Sequence, residues 1–374
     1  MTTTPPVRFG IILAGGSGER FWPVSRRRRP KQLLCLTHPQ QTMLHEAVQK
    51  LKGLLPADHI YVITGPHLID AILAANIGLP PENVLAEPNK RNTAGAILYA
   101  TAAILARHSS VGADNASFAV TTADHAIGNP GLFCATVDAA LRAAEANDAL
   151  ATCGIVPAHP ETGFGYIQRA SATPLEGTDA AIPGFPVKAF HEKPALAKAR
   201  EYVASGDYFW NSGMFFWPAS AFLRELRTAQ PALADIFDRL LHALGKQDYA
   251  AATEAFNELP DISIDFALME KAQKVLMVPG TFPWVDVGSW PALDEVQAAD
   301  EAGNRTLGDP ILIDAKNCIV YNEPGAEKMV VGVLGVEGLA VVVTADAVLV
   351  IPKDRAQDVK AIVQQLKDRQ APQL

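Results

Sequence analysis

From residue 9 to about residue 150, short apolar runs alternate with longer stretches of helical character. Residues 9–14, 59–64, 83–86 and 117–121 are aliphatic or aromatic runs that end in turn residues, which predicts strands. Helices are expected between them. One begins near Thr42, a suitable N-cap; one spans 93–107 and is rich in Ala and Leu; one runs over about 133–146. Strands that alternate with helices imply parallel pairing. The predicted fold class is therefore α/β, a Rossmann-like, doubly wound, mixed but mostly parallel sheet. Ligands of such sheets gather outside the carboxyl ends of the strands. Gly15 to Gly18, Glu87-Pro88 and Asp124-His125 all fall at ends of that kind.

The grain of the pattern then changes twice. From residue 154 to about 290 it is mixed, interrupted by Gly163-Phe164-Gly165-Tyr166, Glu192-Lys193-Pro194 and Trp210-Asn211-Ser212-Gly213. This stretch is expected to complete the same sheet and to build the second side of the cleft. Beyond Asn304, short strands at 311–313, 318–321, 329–333, 339–344 and 348–351 are separated by turn residues. Val359, Ile362, Val363 and Leu366 then recur at the spacing of a helix face. Two domains are expected: a large one over 1–300 and a small β-rich one over 301–374 that closes with a helix. The short strands read as too few and too irregular for a solenoid.

A chain of 374 residues is long enough for one large core and a smaller second unit. Its net charge of −8 argues against a nucleic-acid or anionic-membrane surface. No apolar run approaches the ~18 residues of a membrane span, and Met1 to Arg8 lacks the regions of a signal peptide. The four cysteines form no C-x-x-C pair, so neither a disulfide framework nor a zinc site is indicated. Reducing cytoplasm is the simplest home.

The strongest chemical signal lies at the end of the first strand. Gly15-Gly16-Ser17-Gly18 is followed by Arg20, Arg26 and Lys31. Glycines let backbone N–H groups approach an anion, and the cations add charge, so the segment reads as a cradle for a polyphosphate. It is not a Walker loop, because Glu19-Arg20 follows Gly18 where Lys-Ser/Thr would be needed. Nor is it the dinucleotide fingerprint, because Phe21 stands where the third glycine belongs. Taken with Phe21-Trp22-Pro23-Val24-Ser25-Arg26 and Pro30-Lys31-Gln32, it resembles the signature of the sugar-1-phosphate nucleotidylyltransferases, in particular the mannose-1-phosphate guanylyltransferase branch.

That resemblance implies a nucleotide-diphospho-sugar transferase fold and transfer of GMP from GTP to mannose 1-phosphate, with Mg²⁺ as cofactor. GTP and mannose 1-phosphate would be the partners. A β-rich tail of this kind often packs subunits together, so a homodimer is also an expectation. Longer bifunctional relatives carry a cupin-type isomerase domain after this region, and this chain reads as the monofunctional form. A sugar phosphate is already largely ionised at neutral pH, its second pKa lying near ~6, so no general base is needed. The task is electrostatic: two anions must be aligned and the departing pyrophosphate stabilised.

Carried over residue by residue, the resemblance puts Asp124 and Asp286 on the metal. Each has a plainer reading, Asp124 as a turn cap and Asp286 as the cap of a helix near Ser289. Arg20 and Lys31 fall on the triphosphate, beside the loop residues Ala14, Gly15, Gly16, Ser17, Gly18 and Glu19. Glu87, Asn92, Thr93 and Ala94 would meet the base and ribose. The F-x-E-K-P-like run containing Glu192 and Lys193 would take the sugar phosphate, with Lys193 on the phosphate and Glu192 on the hydroxyls; an exposed ion pair is the plainer reading. Asn211 would read a sugar hydroxyl, with Gly154 and Tyr166 near the same ring. Asp265 belongs either to this region or to a helix cap. Arg26 either binds phosphate or braces the loop, Arg27 to Arg29 form a solvated basic face, and His125 positions its loop without acting as a base. The alternatives are a guanylyltransferase for another sugar 1-phosphate, such as a heptose, and a nucleotide-sugar-binding regulatory subunit that has lost the chemistry.

Overall fold

The computed structural model describes residues 5–16, 18–323 and 329–374. The main strands are β1 (Val7–Leu13), β2 (Ile60–Thr64), β3 (Val84–Ala86), β4 (Ala116–Thr122), β5 (His125–Ile127), β6 (Leu150–Ile155), β7 (Tyr166–Arg169), β8 (Phe185–His191), β9 (Tyr208–Pro218), β10 (Val275–Gly280) and β11 (Trp284–Asp286). Among the described residues, nine of them form one sheet in the order β3-β2-β1-β4-β9-β6-β10-β8-β7. Side chains alternate across it. Phe9, Ile11, Phe118, Val120, Phe215 and Trp217 enter one core. Ile12, Ala119, Met214 and Phe216 enter the other. Both faces are covered by helices, which is why these strands read as near-continuous apolar runs.

The expected helices are present as Met43–Lys52, Asn92–Arg107 and Pro130–Asn147. Thr42 caps the first, its side chain accepting from the His45 N–H at 3.2 Å. The expectation of a mostly parallel sheet needs correction. β1, β2, β3 and β4 pair in parallel, as do β6 and β10. β9 runs antiparallel to β4, β6 and β7, and β8 antiparallel to β7 and β10. Parallel neighbours need a long crossover, usually a helix, and the segments joining β7, β8 and β9 supply only loops and the helix Leu196–Ser205.

The tail also departs from expectation. Its strands are β12 (Arg305–Leu307), β13 (Ile311–Ile313), β14 (Ile319–Asn322), β15 (Gly332–Leu334), β16 (Leu339–Val343) and β17 (Val348–Pro352). β12, β14 and β16 stack in parallel, and so do β13 and β15. Successive coils lying in register one above another are a short solenoid, contrary to the sequence reading. β17 ends the stack antiparallel to β16.

The helix Val359–Asp368 then returns to the large unit. A third core joins Val359, Val363, Tyr321 and Ile351 of the tail to Phe21, Trp22, Val287 and Trp290. The glycine-rich loop after β1 and its continuation through Phe21 and Trp22 are therefore packed between the two units. No helix among the described residues is long and apolar enough to cross a membrane.

Candidate active site

The cradle loop leaves β1 between β2 and β4, where strand ends open a crevice. Ala14 is buried, and its carbonyl accepts from Gln32 Nε2 at 2.7 Å and Thr64 Oγ1 at 2.9 Å. Gly18 has φ +61°, and a Cβ there would lie 2.5 Å from Lys31 Cβ, so only glycine lets the loop close over Lys31. Ser17 lies outside the described residues.

The two aspartates meet because β5 and β11 pair antiparallel, with His125 opposite Asp286. Asp124 immediately precedes β5, so residues far apart in sequence face one another across this small ladder. Lys31 Nζ sits between them, 2.9 Å from Asp124 Oδ2 and 3.8 Å from Asp286 Oδ1, and donates to the Val287 carbonyl at 2.7 Å. Burial pushes the Asp124 carboxyl upward, but Lys31 and His125 outweigh it and hold the group below its ordinary range. His125 Nε2 is 3.8 Å from Asp124 Oδ1, and its Nδ1 accepts from Trp284 Nε1 at 3.2 Å, which suits a positioning role. Arg20 reaches the same place from the other side, donating to the Gly288 carbonyl at 3.1 Å.

Three cavities follow one another along the cleft. The first is lined by Ala14, Gly15, Gly16, Gln32, Glu87, Lys90, Asn92 and Thr93. Its neighbour is lined by Gly16, Gly18, Glu19, Arg20, Lys31, Asp124, Asp286 and Lys360. The third shares Arg20, Asp286 and Gly288 with the second and continues to Lys193, Glu161, His159, Trp210 and Trp284. Glu87 is 8% exposed, its Oε2 has no hydrogen-bond partner among the described residues, and burial pushes its carboxyl up to about 7, against the opposing pull of Lys90. Asn92 opens its helix at φ +57°, and its side chain accepts from the Thr93 N–H at 2.9 Å.

At the far end, Asn211 Nδ2 donates to Asp265 Oδ1 at 2.7 Å, and the Asn211 N–H donates to the Gly165 carbonyl at 2.8 Å. A Cβ on Gly165 would lie 2.6 Å from Glu192 Oε2, so Glu192, Asn211 and Asp265 form one polar cluster. Burial raises the Asp265 carboxyl, with Glu192 adding to the effect and Asn211 opposing it. Lys193 is 63% exposed and pairs with Glu192 at 2.6 Å.

Several expected contacts lie elsewhere. Tyr166 is fully buried and donates to the Glu161 carbonyl at 2.8 Å, so it supports the Glu161 loop from beneath instead of lining the cavity. Gly154 is buried opposite Asn211, where a Cβ would lie 2.4 Å from Met277 Sδ; packing, not a ligand, demands that glycine. Ala94 is buried with its N–H donating to the Ile262 carbonyl at 3.3 Å, and Ala96 lines the first cavity in its stead. Arg26 is a brace: it donates to the Pro23 carbonyl, the Gln373 carbonyl and Asp346. Glu19 is held by Lys367 at 2.7 Å. Gln32 and Lys360 were missed. Gln32 stood inside the quoted motif, whereas Lys360 carries no local signal.

Comparison with known proteins decides the family. Residues 9–303 match the Nucleotidyl transferase family, and residues 308–366 match the MannoseP isomerase/GMP-like beta-helix domain. The chain belongs to the nucleotidyl transferase family. It is 40% identical over 362 residues to a mannose-1-phosphate guanylyltransferase of Escherichia coli (strain K12), covering 96% of this chain and 73% of that one. A Klebsiella pneumoniae mannose-1-phosphate guanylyltransferase is likewise 40% identical, with 96% and 74% covered. A solved structure from Thermus thermophilus, described as a mannose-1-phosphate geranyltransferase, superposes with a TM-score of 0.83 at 33% identity, covering 96% of this chain and 99% of that one. The nucleotidyl transferase unit thus carries the cleft, and the beta-helix unit is the short solenoid that packs on its glycine-rich loop.

Proposed function

We propose that the chain transfers GMP from GTP to α-D-mannose 1-phosphate, forming GDP-mannose and pyrophosphate. The observation that carries this reading is the convergence of Arg20, Lys31, Asp124 and Asp286 between an acidic-edged nucleoside cavity and a polar sugar-side cavity. The base would enter the first cavity. Guanine offers N1–H and N2–H donors on one edge, and the Glu87 carboxylate, acceptor-only when ionised, matches them. Mannose would sit against Glu192, Asn211 and Asp265, with Lys193 on its phosphate.

A phosphate oxygen of the sugar attacks the α-phosphorus in line, and the bond from that phosphorus to the bridging oxygen breaks. The leaving oxygen keeps the electron pair, and pyrophosphate departs. Lys31, already held near both carboxylates, places its ammonium where charge grows, while Arg20 takes the outer phosphates. No side chain needs to remove a proton.

Asp124 and Asp286 are hard oxygen donors that would hold Mg²⁺ together with triphosphate oxygens. Among the described residues no group of three His, Cys, Asp or Glu side chains could hold a metal ion, and magnesium is commonly held by only one or two carboxylates plus phosphates. The bound ion would neutralise phosphate charge. The domains are assigned as 1–300 and 301–374, and a reducing cytoplasm suits the four free thiols. Exposed Ile311, Ile313, Val330 and Leu334 on the beta-helix support a subunit contact there.

The deciding experiment is pyrophosphate release from GTP and mannose 1-phosphate with Mg²⁺, with EDTA and a panel of other sugar phosphates and nucleotides as controls. Metal-dependent release confined to this pair is the expected outcome. Release with another sugar alone would replace the substrate, and none with any pair would end the reading.

A further inference from the structure

Among the described residues, the phosphate cavity is lined by the nucleotidyl transferase unit with one exception: Lys360, from the terminal helix of the beta-helix unit. We propose that Lys360 is a phosphate-binding residue of the active site, holding the β- and γ-phosphates of GTP and the pyrophosphate leaving group together with Arg20. The proposal rests on the nucleotidylyl-transfer reading above.

The position of Lys360 is fixed by packing. Val359 and Val363 of its helix are buried against the core that contains Phe21 and Trp22. Lys367, on the same helix, pairs with Glu19 of the loop at 2.7 Å, and Trp22 Nε1 donates to the Gln373 carbonyl at 2.9 Å. Lys360 precedes Lys367 by seven residues, about two helical turns, so both lie on the face turned to the loop.

Charge then decides what Lys360 does there. Lys31 is already compensated by Asp124 and Asp286, and Glu19 is compensated by Lys367. Among the described residues, Arg20 donates only to a neutral carbonyl, and Lys360 has no ion pair or hydrogen bond. Two uncompensated cations therefore face one cavity that adjoins both the nucleoside and the sugar-side cavities. A lysine in the first turn of a helix also opposes the helix dipole, so the position is unfavourable until an anion arrives. Lys360 lines neither flanking cavity, which sets it apart from the nucleoside and the sugar and leaves it to the phosphates. When the bond from the α-phosphorus breaks, negative charge grows on the departing pyrophosphate, and Lys360 would meet it.

The test compares the full-length wild type with Lys360→Ala, Lys360→Arg and Arg369→Ala, the last removing an exposed charge of the same tail outside the cavity. The reverse reaction, GDP-mannose with pyrophosphate, and calorimetry with inorganic pyrophosphate alone are both measured. Lys360→Ala should raise KM and Kd for pyrophosphate, and KM for GTP, about tenfold, the loss expected for one charge-assisted hydrogen bond. KM for mannose 1-phosphate and GDP-mannose should stay within about twofold, Lys360→Arg should recover most of the loss, and Arg369→Ala should match wild type. Pyrophosphate values within about twofold of wild type for Lys360→Ala, or an equal loss in Arg369→Ala, would overturn the assignment. Should the wild type fail to act on GTP and mannose 1-phosphate, the parent reading falls, and pyrophosphate calorimetry still decides the role of Lys360.

Discussion

Lys31 and Lys193 are both assigned to phosphate groups, yet they stand in opposite surroundings. Lys31 is 7% exposed and tied to two carboxylates and a backbone carbonyl from a distant segment. Lys193 is 63% exposed and tied only to the carboxylate of its neighbour, Glu192. The first is preorganised, so little reorganisation remains when charge develops in the transition state. The second would be drawn into place by the proposed sugar phosphate. On the proposed function, the nucleotide side of the cleft would be finished before substrate arrives, and the sugar side would be completed by substrate. Residues of the first kind should act on kcat and those of the second on KM.

The most severe way to break this contrast is Asp286→Asn, which should lower kcat by about 10³-fold or more while leaving the melting temperature close to wild type. Wild-type-like turnover would end the assignment of Asp286 to the metal. Lys31→Met comes next. It should lower kcat by about 10²-fold and also destabilise the fold by about 2 kcal/mol, because two carboxylates lose their shared partner. A change confined to KM in steady-state kinetics would show that the position is not preorganised for the reaction.

Glu87 sharpens the comparison from the base side. Its carboxyl is raised to about 7 by burial, so protonation below that pH removes an acceptor and KM for GTP should climb as the pH falls. Glu87→Gln should cost about 10- to 100-fold in kcat/KM for GTP and abolish that component of the pH profile. An unchanged profile in the variant would remove Glu87 from base recognition. The folded value lies above the ordinary 4.5, so this carboxyl favours the folded state below pH 4.5 and loses that contribution as the pH rises through about 7. Urea unfolding of the free protein across that range measures it. The smallest effect is expected for Lys193→Ala: KM for mannose 1-phosphate up by about tenfold, with kcat and stability nearly unchanged. A large loss of kcat instead would place Lys193 on the reacting phosphate.

The parallel half of the sheet was legible because its strands are apolar on both faces and separated by helix-length segments. The loop from Gly15 to Lys31 stood out because glycines and cations at fixed spacing are what a phosphate site would require locally, and the structure places Gly16, Gly18, Arg20 and Lys31 around one cavity. The antiparallel insertion of β9 was not, since period-two alternation says which faces are buried but not which neighbour pairs. The solenoid was missed for a related reason: its coils pair at a distance through turns of unequal length, and only stacking reveals the repeat. Tyr166, Gly154 and Ala94 looked like contacts because they neighbour contacts in sequence. A strand sends adjacent residues to opposite faces, and Tyr166 and Gly154 turn toward the core.

The sequence by itself determined the glycine-rich turn and its following cations, the alternation that makes the first half of the sheet, and the identity of the groups that could bear charge. These rest on local backbone geometry and short-range periodicity, which a linear string records. Tertiary structure alone decided that Asp124 and Asp286 share one ammonium, that Arg26 braces the tail instead of binding phosphate, and that Lys360 enters the cleft. Each depends on burying apolar surface between segments far apart in the chain, and that packing, not spacing along the sequence, sets which charges meet.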